Sequence, residues 1–261
     1  MADYKNWMPM GIVKTLAGST ALLTAGTAAV SYIGKKEDSA PIKAAGAFLG
    51  LCSLACTTAT AWAMYSHASY SYNGKRQLSK EIIEGTAEYV DIPDGGIALD
   101  VGCGSGALTI AAAKRNPNAK VYGVDRWGKE YSSFSRDLCE ENAESEGVDN
   151  TVFMKGDATE LDFPDEHFDA VMSNYVYHNI NMNRQLLVRE TLRVLKKGGT
   201  FVIHDIMSPR RYGDMAKFVR ELREEGFEKV ELIRTDKGLF MSRAEAKILF
   251  LDGSALLYGV K

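Results

Sequence analysis

Four short acidic or glycine-rich stretches carry the residue types that do chemistry in this chain. The first is Leu99-Asp-Val-Gly-Cys-Gly-Ser-Gly106, where an apolar run ends in Asp100 and then in Gly102, Cys103, Gly104 and Gly106. Glycine there lets the backbone turn sharply and a ligand approach where a Cβ would collide. Asp125 ends the next apolar run, about 20 residues on, the spacing at which a βαβ unit presents a carboxylate to ribose hydroxyls. Gly156-Asp157-Ala158 follows a third run, and Ser173-Asn174-Tyr175-Val176-Tyr177-His178 follows a fourth. Asp100 separates two chemistries for the glycine loop. A pyrophosphate at a helix N-terminus would be repelled by that carboxylate, whereas a cationic ligand is tolerated or drawn in.

Taken in order over roughly residues 75–261, these stretches resemble the class I S-adenosylmethionine-dependent methyltransferases. Leu195-Lys196-Lys197-Gly198-Gly199 resembles the family's turn before its fifth strand. The glycine loop alone also satisfies the looser dinucleotide fingerprint, so an NAD-dependent oxidoreductase is a competing reading. A non-catalytic adenosylmethionine-binding scaffold is another. The resemblance implies that the loop backbone wraps the methionine part of the cofactor. Asp125 then takes the ribose and Asp157 the adenine amine, with the Ala158 amide near an adenine ring nitrogen. Arg126 or Trp127 flanks the adenine face or lies on the surface. Asn174 joins the cofactor set.

The Ser173–Ile180 segment is expected to face the transferable methyl. It lacks the paired prolines of amino-directed nucleic-acid methyltransferases, which points to small-molecule acceptors. His178 is the general-base candidate, because imidazole titrates near neutral pH; a structural histidine at a strand end is the equal alternative. Tyr175 and Tyr177 either shape an aromatic acceptor wall or pack. His204 and Asp205 end the fifth apolar run, with His204 expected as a satisfied core residue. No Asp/Glu/His spacing suggests a metal, so no metal is expected.

The elements that must position these residues follow from periodicity. Strands are expected at Ile97–Val101, Val121–Asp125, Thr151–Lys155, Phe168–Tyr175 and Thr200–Ile206, and at Lys229–Arg234 and Ala255–Val260. Helices are expected at Gly74–Val90, from Ala107, at Ser132–Glu146, Asn183–Leu195 and Tyr212–Glu225, with 243–251 ambiguous. The fold class expected is α/β: a Rossmann-like seven-stranded, mostly parallel sheet with an antiparallel last strand, preceded by an N-terminal helical hairpin.

The hairpin occupies residues 1–72 and the catalytic domain 73–261. Thr15 to Ile33 holds no charge, and Ala44 to Tyr72 holds only His67, on either side of a polar link from Gly34 to Lys43. Each run is long enough for a hydrocarbon layer that needs about 20 helical residues. Their Ala, Gly, Ser and Thr content suits close helix packing, as in Gly46-x-x-x-Gly50. A membrane anchor over residues 10–72 is favoured over a lid packed on the catalytic domain. S-adenosylmethionine is cytosolic, so the expected localisation is the membrane, with the catalytic domain cytoplasmic.

Net charge −3 and pI near 5.9 disfavour a nucleic-acid partner. The four cysteines show neither zinc nor disulfide spacing. The acceptor expected is small or lipophilic, the donor S-adenosylmethionine.

Overall fold

The computed structural model describes residues 2–128 and 133–261. It divides into two compact units: Asn6–Ser79, and Met1–Lys5 together with Lys80–Lys261.

In the smaller unit, α1 (Met10–Lys36) and α2 (Ala40–Tyr70) form an antiparallel hairpin. Pro41 sits in the first turn of α2, where its missing N–H loses nothing. The seam is built from small and hydroxylated residues. A Cβ on Gly46 would lie 3.0 Å from Ser31 Oγ, so glycine suits the close approach of the helices there. Thr20 and Thr60 share a hydroxyl hydrogen bond of 2.9 Å, and Thr24 and Ser53 one of 2.8 Å. The large apolar side chains point outward instead: Leu22 is 77% exposed and Phe48 66%. At 27 and 31 residues, both helices are long and apolar enough to cross a membrane by length and composition.

The larger unit is built on one sheet of β1 (Ile97–Val101), β2 (Lys120–Asp125), β3 (Thr151–Lys155), β4 (Phe168–Asn174), β5 (Leu195–Ile206), β6 (Lys229–Arg234) and β7 (Ser254–Val260). Their order is β3-β2-β1-β4-β5-β7-β6. The first five are parallel, and β7 runs antiparallel between β5 and β6. Helices α3 (Leu78–Ala87), α4 (Ala107–Arg115), α5 (Arg136–Ser145), α6 (Arg184–Arg193), α7 (Pro209–Tyr212), α8 (Met215–Glu224) and α9 (Arg243–Ile248) complete the chain. Apolar side chains form two buried clusters, one around Phe168, Phe201 and Phe218 and one around Ala98, Val121 and Met172. Burial on both faces is the reason these strands read as continuous apolar runs.

The structure departs from the expected elements in a few places. The expected helix start at Ser132 lies outside the described residues; the described helix begins at Arg136, capped by Ser135. The helix expected over Tyr212–Glu225 is split, because Gly213 takes φ +73° and Asp214 caps α8 by accepting from Lys217 N–H at 2.9 Å. The stretch Leu195–Gly199 is not a turn before β5 but its bulged start: Phe168 pairs with Leu195, and the register then jumps to Ala170 with Thr200. The ambiguous 243–251 stretch begins as a helix, fixed by a capping box between Ser242 and Glu245. No helix joins β3 to β4. That crossover is instead tied down by Arg193, which donates to the carbonyls of Leu161 (2.8 Å) and Phe163 (2.9 Å).

Candidate active site

In an open α/β sheet, ligands bind beyond the carboxyl ends of the strands, where the strand order reverses. Here that point lies between β1 and β4. The loop after β1 is anchored by Gly102 and Cys103, whose N–H groups both donate to Val124 O, at 2.8 and 3.0 Å. Gly102, Gly104 and Gly106 have φ of +77°, +57° and +82°, a region closed to most side chains. A Cβ on Gly102 would strike Val176 at 2.4 Å, whereas one on Gly104 would meet no atom within 4 Å. Gly104 therefore faces an open cradle.

The acidic end of β2 is lashed to this loop. Gly104 N–H donates to Asp125 Oδ2 at 2.9 Å, and Trp127 N–H donates to Oδ1 at 2.8 Å. Trp127, itself at φ +42°, returns its indole N–H to Gly104 O at 2.9 Å. Arg126 is exposed. Asp157 is exposed as well, and its carboxyl sits below the usual range because Thr159 donates both its N–H (2.8 Å) and its hydroxyl (2.7 Å), with the Arg126 cation assisting. Ala158 is half-buried and packs on the core.

Asp100 lies beneath the loop, accepting from the Thr109 hydroxyl at 2.6 Å. Burial lifts its pKa to about 7; the Thr109 hydrogen bond opposes the rise and the nearby Asp125 charge adds to it. A cation placed beside it would hold it ionised.

The ends of β4 and β5 form the other half. Asn174 and His204 are register partners, and His204 Nδ1–H donates to Asn174 Oδ1 at 2.7 Å while Thr235 donates to Nε2 at 2.8 Å. Burial pushes the His204 pKa down to about 3, so this imidazole is a neutral spacer that fixes Asn174. Tyr175 takes φ +54° and stands between the rings of His178 and His204. Its hydroxyl bonds Ser254 Oγ at 2.7 Å.

His178 follows in a single 3₁₀ turn. Its Nδ1 lies 2.5 Å from Asp205 Oδ1, and its backbone N–H donates to Asp205 Oδ2 at 2.9 Å. Asp205 is fully buried and also accepts from the Tyr212 hydroxyl (2.6 Å) and from Ile206 N–H (2.7 Å). Burial alone would raise its pKa, but these donors outweigh it and hold the group below the ordinary carboxylate range. Burial and the Asp205 charge push the Tyr212 phenol well up, so it stays a donor.

One expectation is corrected. Tyr177 is fully buried in the core, its hydroxyl bonded to Thr191 at 2.6 Å, and it forms no part of an acceptor wall. Of its two readings, packing holds. Sequence reasoning had not paired Asp205 with His178, nor seen Tyr212, Thr109 or the Trp127 clamp. It also missed a strap of N-terminal residues. Asn142 Nδ2 donates to Ser105 O (2.9 Å) and Asp3 O (3.1 Å), its Oδ1 accepts from Asp3 N–H (2.6 Å), and Ser105 donates to Tyr4 O (3.0 Å).

Residues 92–249 match the methyltransferase domain family. The chain belongs to that family, and its fold is that of the class I S-adenosylmethionine-dependent enzymes. A demethylmenaquinone methyltransferase of Geobacillus stearothermophilus is 32% identical over 125 residues, covering 48% of this chain and 51% of that protein. The chain thus spans about half the length of the curated relatives it matches. Among solved structures, the [4+2]-cyclase SpnF superposes with a TM-score of 0.55 at 19% identity, covering 73% of this chain and 85% of that one. Geranyl diphosphate methyltransferase, solved with GPP and sinefungin, gives 0.53 at 15%, covering 71% and 79%. Both share the fold.

The residues fit the family's cofactor, S-adenosylmethionine. The open cradle at Gly104 leaves room for a ligand, and the buried Asp100 carboxyl suits its cationic end better than it would a pyrophosphate.

Proposed function

We propose that this chain transfers the methyl group of S-adenosylmethionine to a small lipophilic acceptor held at a membrane. The observation that carries the reading is the His178–Asp205 pair, placed at the same sheet edge as the glycine cradle. Asp125 and Asp157 would hold the ribose and adenine, the 102–106 loop the methionine part, with Asp100 beneath it as counter-charge. The bound cofactor supplies a sulfonium-activated methyl carbon.

The protein then has to align the acceptor and take its proton. Asp205 holds Nδ1–H of His178, which leaves Nε2 with its lone pair for the acceptor's X–H. His178 Nε2 would take the acceptor's proton, and the resulting imidazolium would rest against the buried Asp205 carboxylate. Tyr212 and the His178 N–H keep Asp205 in place, and Tyr175 offers its ring as one wall. His178 passes the proton to solvent afterwards.

Two observations support the lipophilic, membrane-held acceptor. The curated relative named above is a demethylmenaquinone methyltransferase, whose named substrate is a lipophilic quinone. The hairpin turns its large apolar side chains outward, the reverse of a water-exposed helix pair. Two crossings return both ends of the hairpin to one side, which for a cytosolic donor is the cytoplasm. At about 1.5 Å per residue, α2 exceeds a hydrocarbon core of about 30 Å, so it tilts or protrudes.

The test is transfer of label from methyl-labelled S-adenosylmethionine to demethylmenaquinone, oxidised or reduced, in nanodiscs carrying the full chain. Label in the organic phase, lost with Asp125→Ala, supports the reading. Tight cofactor binding without transfer to any lipid-extract component contradicts it.

A further inference from the structure

Exposed apolar side chains in the larger unit are unevenly placed. Besides Met154, those described are Met182, Leu186, Leu239, Ile248 and Phe250. Met182 and Leu186 belong to the segment that follows β4, and the other three to the connection between β6 and β7. Both segments stand at the carboxyl edge of the sheet. Ser254, where β7 begins, pairs with Ile206 at the end of β5, and Arg234, at the end of β6, pairs with Ala255. The 235–253 connection also touches the acceptor half of the site. Ser254 holds the Tyr175 hydroxyl, and the Phe240 ring lies 5.4 Å from that of His204.

Phe250 is 72% exposed, yet its backbone is firmly set. It takes φ +59°, a strained state for a bulky residue, between buried Leu249 and Leu251. The surroundings impose it: Phe250 caps α9, with Leu251 N–H on Ala246 O at 2.7 Å and Phe250 N–H on Lys247 O at 3.3 Å. Here it holds a large apolar ring toward the outside. The segments after β5 and β6 add exposed Arg210, Arg211, Lys237, Arg243 and Lys247, against exposed Asp214 and Asp252. Asp236 is buried and paired with Arg234, and Glu245 is spent on the Ser242 capping box. The edge is therefore cationic on a chain whose net charge is −3. Apolar side chains among cations are the composition that seats a surface in an anionic headgroup layer.

We propose that this acceptor half of the carboxyl edge is a lipid-contacting surface, resting on an anionic phospholipid bilayer, through which a bilayer-dissolved acceptor reaches His178. The inference rests on the lipophilic acceptor proposed above but not on the hairpin, so the two lipid contacts fail separately.

The test places the photo-crosslinker p-benzoylphenylalanine at Phe250, at Leu51 on the hairpin, or at exposed Lys155 beside the cofactor half, in the full chain in vesicles of phosphatidylcholine with or without phosphatidylglycerol. Phospholipid adducts at Phe250, increased by phosphatidylglycerol and absent at Lys155, are expected. Lipid adducts at Leu51 with protein adducts or none at Phe250 would overturn this surface and leave the anchor intact. Adducts at Phe250 but not at Leu51 would do the reverse. Equal yields at Phe250 and Lys155 would mark unselective capture and overturn the proposal. In parallel, Phe250→Glu is expected to raise KM for a bilayer-held acceptor about tenfold, the scale of one lost apolar side-chain burial. The Kd for S-adenosylmethionine should not move; an unchanged KM would contradict the proposal.

Discussion

His178 Nδ1 and Asp205 Oδ1 lie 2.5 Å apart, and the carboxylate is fully buried with Tyr212 on its other oxygen. Asp205 is fully enclosed by protein, so in the proposed mechanism it is a positioning residue. Asp205→Asn keeps the shape but removes the charge that steadies an imidazolium. It should lower kcat by about 10²- to 10⁴-fold, the range for a general base, while the Kd for S-adenosylmethionine stays constant. His178→Ala should lower kcat by a similar factor, again with that Kd constant. An unchanged kcat in His178→Ala would assign the proton transfer elsewhere.

The buried Asp100 makes cofactor binding depend on pH. Its pKa of about 7 in the ligand-free fold lies above the unfolded value of about 3.9. Across that interval the folded state holds a proton that the unfolded chain has released. Stability from this group is therefore full below about pH 4 and is lost as pH rises through about 7. A cationic cofactor reverses the balance, because it favours the carboxylate. Calorimetric affinity should weaken as pH falls below about 7, by at most tenfold per unit, and Asp100→Asn should flatten that limb. A wild-type affinity unchanged from about pH 6 to 8 would remove Asp100 from the cofactor site.

Two glycines separate fold from ligand. Gly102→Ala drives a Cβ into Val176 at 2.4 Å from a φ of +77°, so it should cost about 2–4 kcal/mol in denaturant unfolding as well as the cofactor. Gly104→Ala meets no protein atom within 4 Å and should cost only about 1 kcal/mol for its φ of +57°. It should still abolish cofactor binding, because its methyl enters the cradle. Full binding by Gly104→Ala would show that the ligand lies elsewhere.

The proposed cofactor half is legible in the sequence because its residues sit inside or next to contiguous motifs. Gly102–Gly106 and Asp125 stand out by spacing, and the fold joins them through Gly104 N–H on Asp125; Asp157 stands out only through the family resemblance. The acceptor half is not, since its pairs are made across strands. Asp205 meets His178 only once β4 and β5 are set in register, and the bulge between Phe168 and Ala170 hides that register from any count of residues. Tyr175 and Tyr177 look equivalent in one dimension, yet a left-handed residue followed by a 3₁₀ turn sets one beside His178 and His204 and sends the other to the core. The Arg193 clamp on the β3–β4 crossover joins residues about 30 positions apart, which no local spacing announces.

The measurement that tests the account most directly is single-turnover methyl transfer, with cofactor affinity measured on the same samples, for wild type, Asp125→Ala and His178→Ala in nanodiscs. The account predicts that Asp125→Ala loses both binding and transfer, while His178→Ala binds S-adenosylmethionine as wild type does and transfers at least about 100-fold more slowly. Transfer by His178→Ala at the wild-type rate would contradict it, as would undiminished binding by Asp125→Ala.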